Sequence, residues 1–232
     1  MVKLEPSLRE SPQTTATMNR ILDAAEELFA EQGIAGTSVR TITEKAKVNV
    51  AAVNYHFDKK ENLVRKVLER RAADLEESRT TALNTVEARA SSEGREPTAL
   101  ELVDAMIGPI VELALSETGG WQHFIRFIGR LTWEPGFEDL EPPESQIRIF
   151  DRFETLLQKA VPSLADDIVM RKWRLAFMRS ATQQTLMMIT TLKAGKFPKA
   201  MPLAAAVAAT PIDTIKRELS AFIAAGLSAP KP

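Results

Sequence analysis

Apolar side chains recur at intervals of three and four residues along almost the whole chain, and nowhere do they alternate in the period-two rhythm of a half-buried strand. Ile21, Leu22, Ala25, Leu28 and Phe29 share one helical stripe, and Val39, Ile42 and Ala46 form another. Leu63, Val64, Val67 and Leu68 begin a third, on a segment that carries on through Leu75 and Val86. No run of alternating β-branched residues and no Asn-Gly or Asp-Gly turn interrupts the pattern. The fold class that follows is all-α.

Breakers divide the pattern. Residues 1–16 are polar, contain Pro6 and Pro12 and lack periodicity, so a flexible arm is expected there. Thr17 or Asn19 caps the first helix and Gly33 stops it. Thr37 or Ser38 caps a short second helix, Lys47-Val48-Asn49 makes a tight connection, and Asn49 caps another short helix from Val50 to Phe57. A polar corner, Asp58-Lys59-Lys60, leads into a long helix that ends at the loop 91–97. Further helices are expected near 98–116, 119–134, 144–160, 164–194 and 210–226, separated by Gly- and Pro-rich breaks. The organisation is an arm (1–16), a small head (17–62) and a larger helical body (63–228).

Two short helices joined by a three-residue turn are the helix-turn-helix unit. The first packs across the second through Val39, Ile42, Ala46, Val48 and Val53, and the second is left free to enter a DNA major groove. On that second helix Val53 and Phe57 face the core, while Val50, Ala51, Asn54 and Tyr55 fall on the other side. Asn pairs bidentately with adenine, and Ala and Val suit thymine methyls. Charge follows the same division. Residues 35–72 hold nine basic and four acidic side chains, a local +5, so with −1 for the whole chain the other residues carry −6. Backbone-phosphate binding by one end needs such an asymmetry, although a solvated helical face has similar composition.

At these positions the chain resembles the TetR (tetracycline-repressor-like) family of bacterial transcriptional regulators. The resemblance rests on Ile21-Leu22-Asp23-Ala24-Ala25-Glu26-Glu27-Leu28-Phe29-Ala30-Glu31-Gln32-Gly33, on Thr37-Ser38-Val39-Arg40-Thr41-Ile42, and on Val53-Asn54-Tyr55-His56-Phe57-Asp58-Lys59-Lys60-Glu61-Asn62-Leu63. It covers roughly residues 17–68. It implies a homodimer on a pseudo-palindromic double-stranded DNA operator, usually a repressor released by a small ligand. By position, Arg40, Val50, Ala51 and Asn54 match base-facing sites, and Ser38, Thr41, Tyr55, His56 and Lys60 match sites that meet phosphates. One position departs: the family commonly has Ala-Gly-Val in the turn, where this chain has Ala46-Lys47-Val48. Gly eases a positive φ, so Lys47 implies mild strain or a different turn, with a phosphate contact in return.

In the body, nine of the 14 aromatics lie between 121 and 177, among them Trp121, Phe124, Phe127, Trp133, Trp173 and Phe177. They fit either core packing or the wall of an apolar pocket. Candidates for polar groups in such a pocket are His123, Arg126, Arg130, Gln183 and Gln184. Arg126 and Arg130 lie four apart on one face, able to meet a carboxylate or phosphate, or to pair with Glu134 or Glu138. The expected ligand contacts are therefore Trp121, His123, Phe124, Phe127, Arg130, Trp173, Phe177 and Gln184. The stretch 48–57 resembles the branch that includes fatty-acid-responsive regulators, which implies an apolar, acyl-chain-like effector. The helices near 164–194 and 210–226 either form a two-fold four-helix interface or close the monomer core.

Composition excludes other chemistries. No cysteine is present, and only His56 and His123 are available as imidazoles, so no metal site and no thiol chemistry are expected, nor any cofactor. There is no P-loop, Gly-x-Gly-x-x-Gly, His-Glu-x-x-His or Gly-x-Ser-x-Gly motif. The adjacent carboxylates Glu26-Glu27 and Asp166-Asp167 look like solvated helix faces, so an enzyme is not expected. The N-terminus has no apolar signal core, and the apolar stretches 106–115 and 200–209 fall short of the ~20 residues that span a bilayer, which points to a cytoplasmic protein with no membrane partner. The alternative to a DNA regulator is a helical adaptor that binds protein through its last two helices.

Overall fold

The computed structural model describes residues 12–116, 119–131, 134–137, 140–194, 206–207 and 209–230. These form helices α1 (Pro12–Gly36), α2 (Val39–Ala46), α3 (Val50–Phe57), α4 (Lys60–Ser92), α5 (Ala99–Leu115), α6 (Trp121–Leu131), α7 (Glu144–Ala160), α8 (Ile168–Lys193) and α9 (Ile212–Ser228), with one 3-10 turn at Pro162–Leu164. No strand occurs among the described residues, and none of their helices is long and apolar enough to cross a membrane.

Local chemistry sets most boundaries. Ser38 opens α2, its Oγ accepting from the Thr41 amide at 3.1 Å, and the Asn49 side chain opens α3 by accepting from the Ala51 amide at 2.9 Å. Thr98 and Glu101 close a reciprocal capping box on α5, and Asp167 caps α8. Helix α1 corrects two expectations. It is already helical at Pro12, so residues 12–16 of the expected arm are helical and neither Thr17 nor Asn19 is its cap. The rest of that arm lies outside the described residues. Gly33 breaks the helix where the sequence places its stop: at φ 77° and ψ 167° it leaves helical geometry, and a short helical turn follows it to Gly36.

Two clusters of buried side chains hold the helices together. The first joins Ile21 and Phe29 of α1, Ile42 of α2, Val53 and Phe57 of α3, and Leu63, Val64 and Val67 of α4 to Val111, Trp121, Phe124 and Phe127 in the body. The second gathers Leu83 of α4, Leu102, Met106 and Ile107 of α5, Ile149 and Phe153 of α7, Met178 of α8 and Ile223 of α9. Helix α4 runs through both, 33 residues from the corner at Asp58 to the loop at Glu93. The first cluster thus spans head and body, and α4 carries on from it into the second.

Candidate nucleic-acid interface and ligand cavity

The helix-turn-helix forms over the residues that its caps and stripes predict. Val53 and Phe57 are buried, whereas Val50, Ala51, Asn54 and Tyr55 are exposed, Tyr55 to 83%. Lys47 resolves the departure in the turn: it keeps the left-handed conformation, φ 54° and ψ 48°, and its amide bonds back to the carbonyl of Glu44. An L-residue there costs roughly 1–2 kcal/mol, so the chain accepts strain and gains an exposed ammonium at the turn. Ser38 and Thr41 share a hydroxyl hydrogen bond of 2.7 Å at the start of α2. Arg40 is exposed and paired with Glu44 one turn on, a contact weak enough to be exchanged for DNA. His56 is half-buried, edge-on to Tyr55.

Lys60 behaves differently from expectation. Its Nζ donates to the carbonyls of Ile34 (2.8 Å) and Thr37 (3.2 Å), closing the turn between α1 and α2. The positive window is also partly neutralised from within: Lys45 pairs with Glu27, Lys66 with Glu69, and Arg70 and Arg71 with Glu26. Lys47 and Lys59 in the head and Arg65 in the first turns of α4 are exposed cations with no ion pair among the described residues. Glu26-Glu27 is not a solvated face. Glu26 is buried, because α4 presents two guanidinium groups to the side of α1 that packs on it.

In the body, a cavity of about 370 Å³ opens at the seam between the two apolar clusters. Leu68, Arg71, Leu75 and Arg79 of α4, Ile110 of α5, Phe124 and Ile128 of α6, Phe137 and Leu140 of the following loop, Gln146 and Ile149 of α7, and Arg179 and Gln183 of α8 line it. A smaller annex of about 80 Å³ continues inward past Arg79, Phe150 and Arg179 to Met106 and Met178. Among the expected ligand contacts, Phe124 lines this cavity. Trp121 and Phe127 are instead core residues, Phe127 lying against Phe29 at 5.5 Å between ring centroids. Trp133 and Glu138 lie outside the described residues.

The other expected contacts lie elsewhere. His123 sits in a polar cleft with Asp23, Glu26, Glu27 and Arg70, where burial and Arg126 lower its pKa. Arg126 is buried and donates to the Gln122 carbonyl of its own helix; Arg130 is exposed beside Glu134, whose carboxylate accepts from the Ala35 amide at the end of α1. The shared face of Arg126 and Arg130 is therefore turned to the head–body junction. Trp173, Phe177 and Gln184 are all exposed on the outer face of α8, since the face of that helix turned to the body carries Met178, Thr182 and Leu186. Sequence reasoning passed over Arg71, Arg79 and Arg179. Their signal was present: Arg71, Leu75 and Arg79 recur every four residues, so two cations occupy the inward stripe of α4.

An exposed short helix set on a capped turn, above a cavity-bearing helical body, defines a DNA-binding regulator rather than an adaptor. Residues 21–67 match the model for bacterial regulatory proteins of the tetR family, and residues 104–226 match that for the tetracyclin repressor-like C-terminal domain. The chain belongs to the tetR family of bacterial regulatory proteins. It is 31% identical over 167 residues to the HTH-type transcriptional repressor Rv3405c of Mycobacterium tuberculosis, covering 60% of this chain and 87% of that one. It is also 31% identical over 101 residues to the HTH-type transcriptional repressor KstR2 of Rhodococcus jostii, covering 43% and 50% respectively. A putative tetR family transcription regulator from Shewanella sp. PV-4 shares the fold with TM-score 0.57 and 15% identity, over 89% of this chain and 95% of that one. One from Marinobacter aquaeolei VT8 does so with TM-score 0.55 and 13% identity, over 92% and 96%.

Proposed function

We propose that the chain is a repressor that binds a pseudo-palindromic operator as a homodimer and leaves it when a small amphipathic molecule fills the α4–α8 cavity. The observation that carries this proposal is the exposed face of α3. Val50, Ala51, Asn54 and Tyr55 project from a helix anchored by Val53 and Phe57, the arrangement a recognition helix needs. Arg40, Asn54, Val50 and Ala51 are the assigned base readers; Ser38, Thr41, Lys47, Tyr55 and His56 meet phosphates. Two further cations of the positive window, Lys59 and Arg65, join them.

The dimer face is the outer side of α8 and α9. Ile168, Val169, Trp173 and Phe177 on α8 and Phe222 on α9 are exposed, an apolar surface a stable monomer rarely leaves uncovered. Arg174 of α8 donates to the carbonyls of Leu227 (2.8 Å) and Ala229 (2.7 Å), which holds the two helices side by side as one docking surface. Trp173, Phe177 and Gln184 take this role in place of ligand contact.

Coupling runs through Arg71. It lines the cavity and grips Glu26 of the head, so a ligand that favours one arrangement of α4 changes where α1 to α3 sit. Only a difference in ligand affinity between the two arrangements can move the operator equilibrium. Sedimentation velocity of the DNA-free chain at micromolar concentration tests the assembly. A dimer is expected, and a monomer with or without a selected operator would overturn it.

A further inference from the structure

A guanidinium taken out of water without a carboxylate partner keeps its charge uncompensated, even where neutral groups accept its hydrogen bonds. Arg79 is in that position, in the middle of α4 with 6% of its surface exposed. Its Nε donates to the Met106 carbonyl of α5 at 2.8 Å, which fixes the plane of the group at the point where cavity and annex meet. The guanidinium carbon lies 5.3 Å from the centre of the Phe150 ring, and that of Arg179, arriving from α8, lies 4.9 Å from the same centre.

Two cations therefore share one ring. Among the described residues, no carboxylate forms an ion pair with either of them. Glu76 and Glu141 also stand in the cavity wall, but neither pairs with Arg79 or Arg179. The contrast with Arg71, held by Glu26, and with Arg171, held by Glu154, is plain. Burial, and after it the charge of Arg179, pull the pKa of Arg79 down to about 10, as expected for apposed cations with no anion between them.

The geometry points to an anion as the missing partner: Arg79 and Arg179 receive the carboxylate of a compact apolar organic acid, whose hydrocarbon body fills the cavity. This rests on the cavity being the effector site proposed above. A guanidinium fork matches a carboxylate in two parallel hydrogen bonds, and two forks confine it. Leu75, Ile110, Phe124 and Ile149 supply the apolar wall. The volume stands at the small end of the ~300–1,000 Å³ of small-molecule sites, which suits a free acid better than a bulky conjugate.

Direct calorimetric binding to the DNA-free protein tests the assignment with matched probes: hexanoate, octanoate, decanoate and 2-naphthoate, each against its alcohol and its primary amine. At least one acid is expected to bind about tenfold or more tightly than its alcohol, as charge-assisted hydrogen bonds allow, and its amine more weakly still. Arg179→Met, at an exposed position, is expected to erase the advantage of acid over alcohol. Arg79→Lys, which keeps charge but loses the fork, is expected to reduce it in part. Equal binding of acid and alcohol, an advantage that survives Arg179→Met, or no binding by any acid would overturn the proposal. Operator release is scored separately by gel shift. Arginine-dependent acid binding without release would retain the anion site and overturn the switch. Release by acid and alcohol alike would retain the switch and overturn the anion site.

Discussion

The guanidinium of Arg71 grips the carboxylate of Glu26 in a two-pronged hydrogen bond, Nε donating to Oε2 at 2.8 Å and Nη2 to Oε1, and so ties α4 to α1. Both side chains are buried, and the guanidinium lies over Trp121, 4.9 Å from the ring centre. Gly120 permits this close approach: at φ 72° it has no side chain, and a Cβ there would stand 3.1 Å from Nη2 of Arg71. Removing one member of a buried pair costs about 3–5 kcal/mol, because the other charge stays buried alone. Glu26→Gln should lower unfolding stability by an amount near the bottom of that range, since Gln still accepts one hydrogen bond. An unchanged urea midpoint would show that the pair does not tie the head to the body.

Lys47→Gly should act with opposite signs on stability and binding. Relief of the left-handed strain stabilises the head by about 1 kcal/mol. Loss of the exposed ammonium removes one phosphate contact, so the slope of log affinity against log salt should shrink by about 1. Thermal melts and operator titrations at three salt concentrations separate the two effects. A destabilised variant with an unaltered slope contradicts both.

For Lys60 the structure changes what is expected. From the family resemblance alone, Lys60→Ala would weaken all DNA alike and flatten the salt dependence. With its ammonium bonded to the Ile34 and Thr37 carbonyls, the substitution should first cost about 1.5–3 kcal/mol of stability, and operator binding should fall with it. Full stability together with a reduced salt slope would restore the phosphate role.

Acid should loosen the head–body junction at His123. Burial foremost, and Arg126 next, hold its pKa below the ordinary 6.5, against the opposing pull of Glu27, Glu26 and Glu31. Below 6.5 the unfolded chain then binds a proton that the folded chain refuses, so stability falls as the pH drops. Carboxylate titration adds to this fall, so the informative quantity is a difference. Between about pH 7 and pH 5 the melting temperature of His123→Gln should decline less steeply than that of the wild type. Parallel declines would remove His123 from the account.

The head was legible because its information is local. Ser38 and Asn49 as caps, Val53 and Phe57 as anchors, and the conformational demand on residue 47 all follow from neighbours within a few positions. The body was legible only as helices. An exposed aromatic stripe such as Trp173 and Phe177 has the same spacing whether it faces a cavity or another subunit, and only tertiary packing tells them apart. The pair Arg126 and Arg130 shows the same ambiguity, resolved by how α6 is rotated against α1. Arg79 and Arg179 stand 100 residues apart and meet only because Phe150 lies between α4 and α8.

The most direct test of the central claim is selection of bound sites from randomised DNA, with wild type and Asn54→Ala compared on the winner. The account predicts a two-fold symmetric site bound by two protomers. It also predicts that Asn54→Ala costs about 1–3 kcal/mol on that site and almost nothing on random sequence. Selection that yields no symmetric consensus, or equal losses on selected and random DNA, would contradict the assignment of α3 as the reading helix.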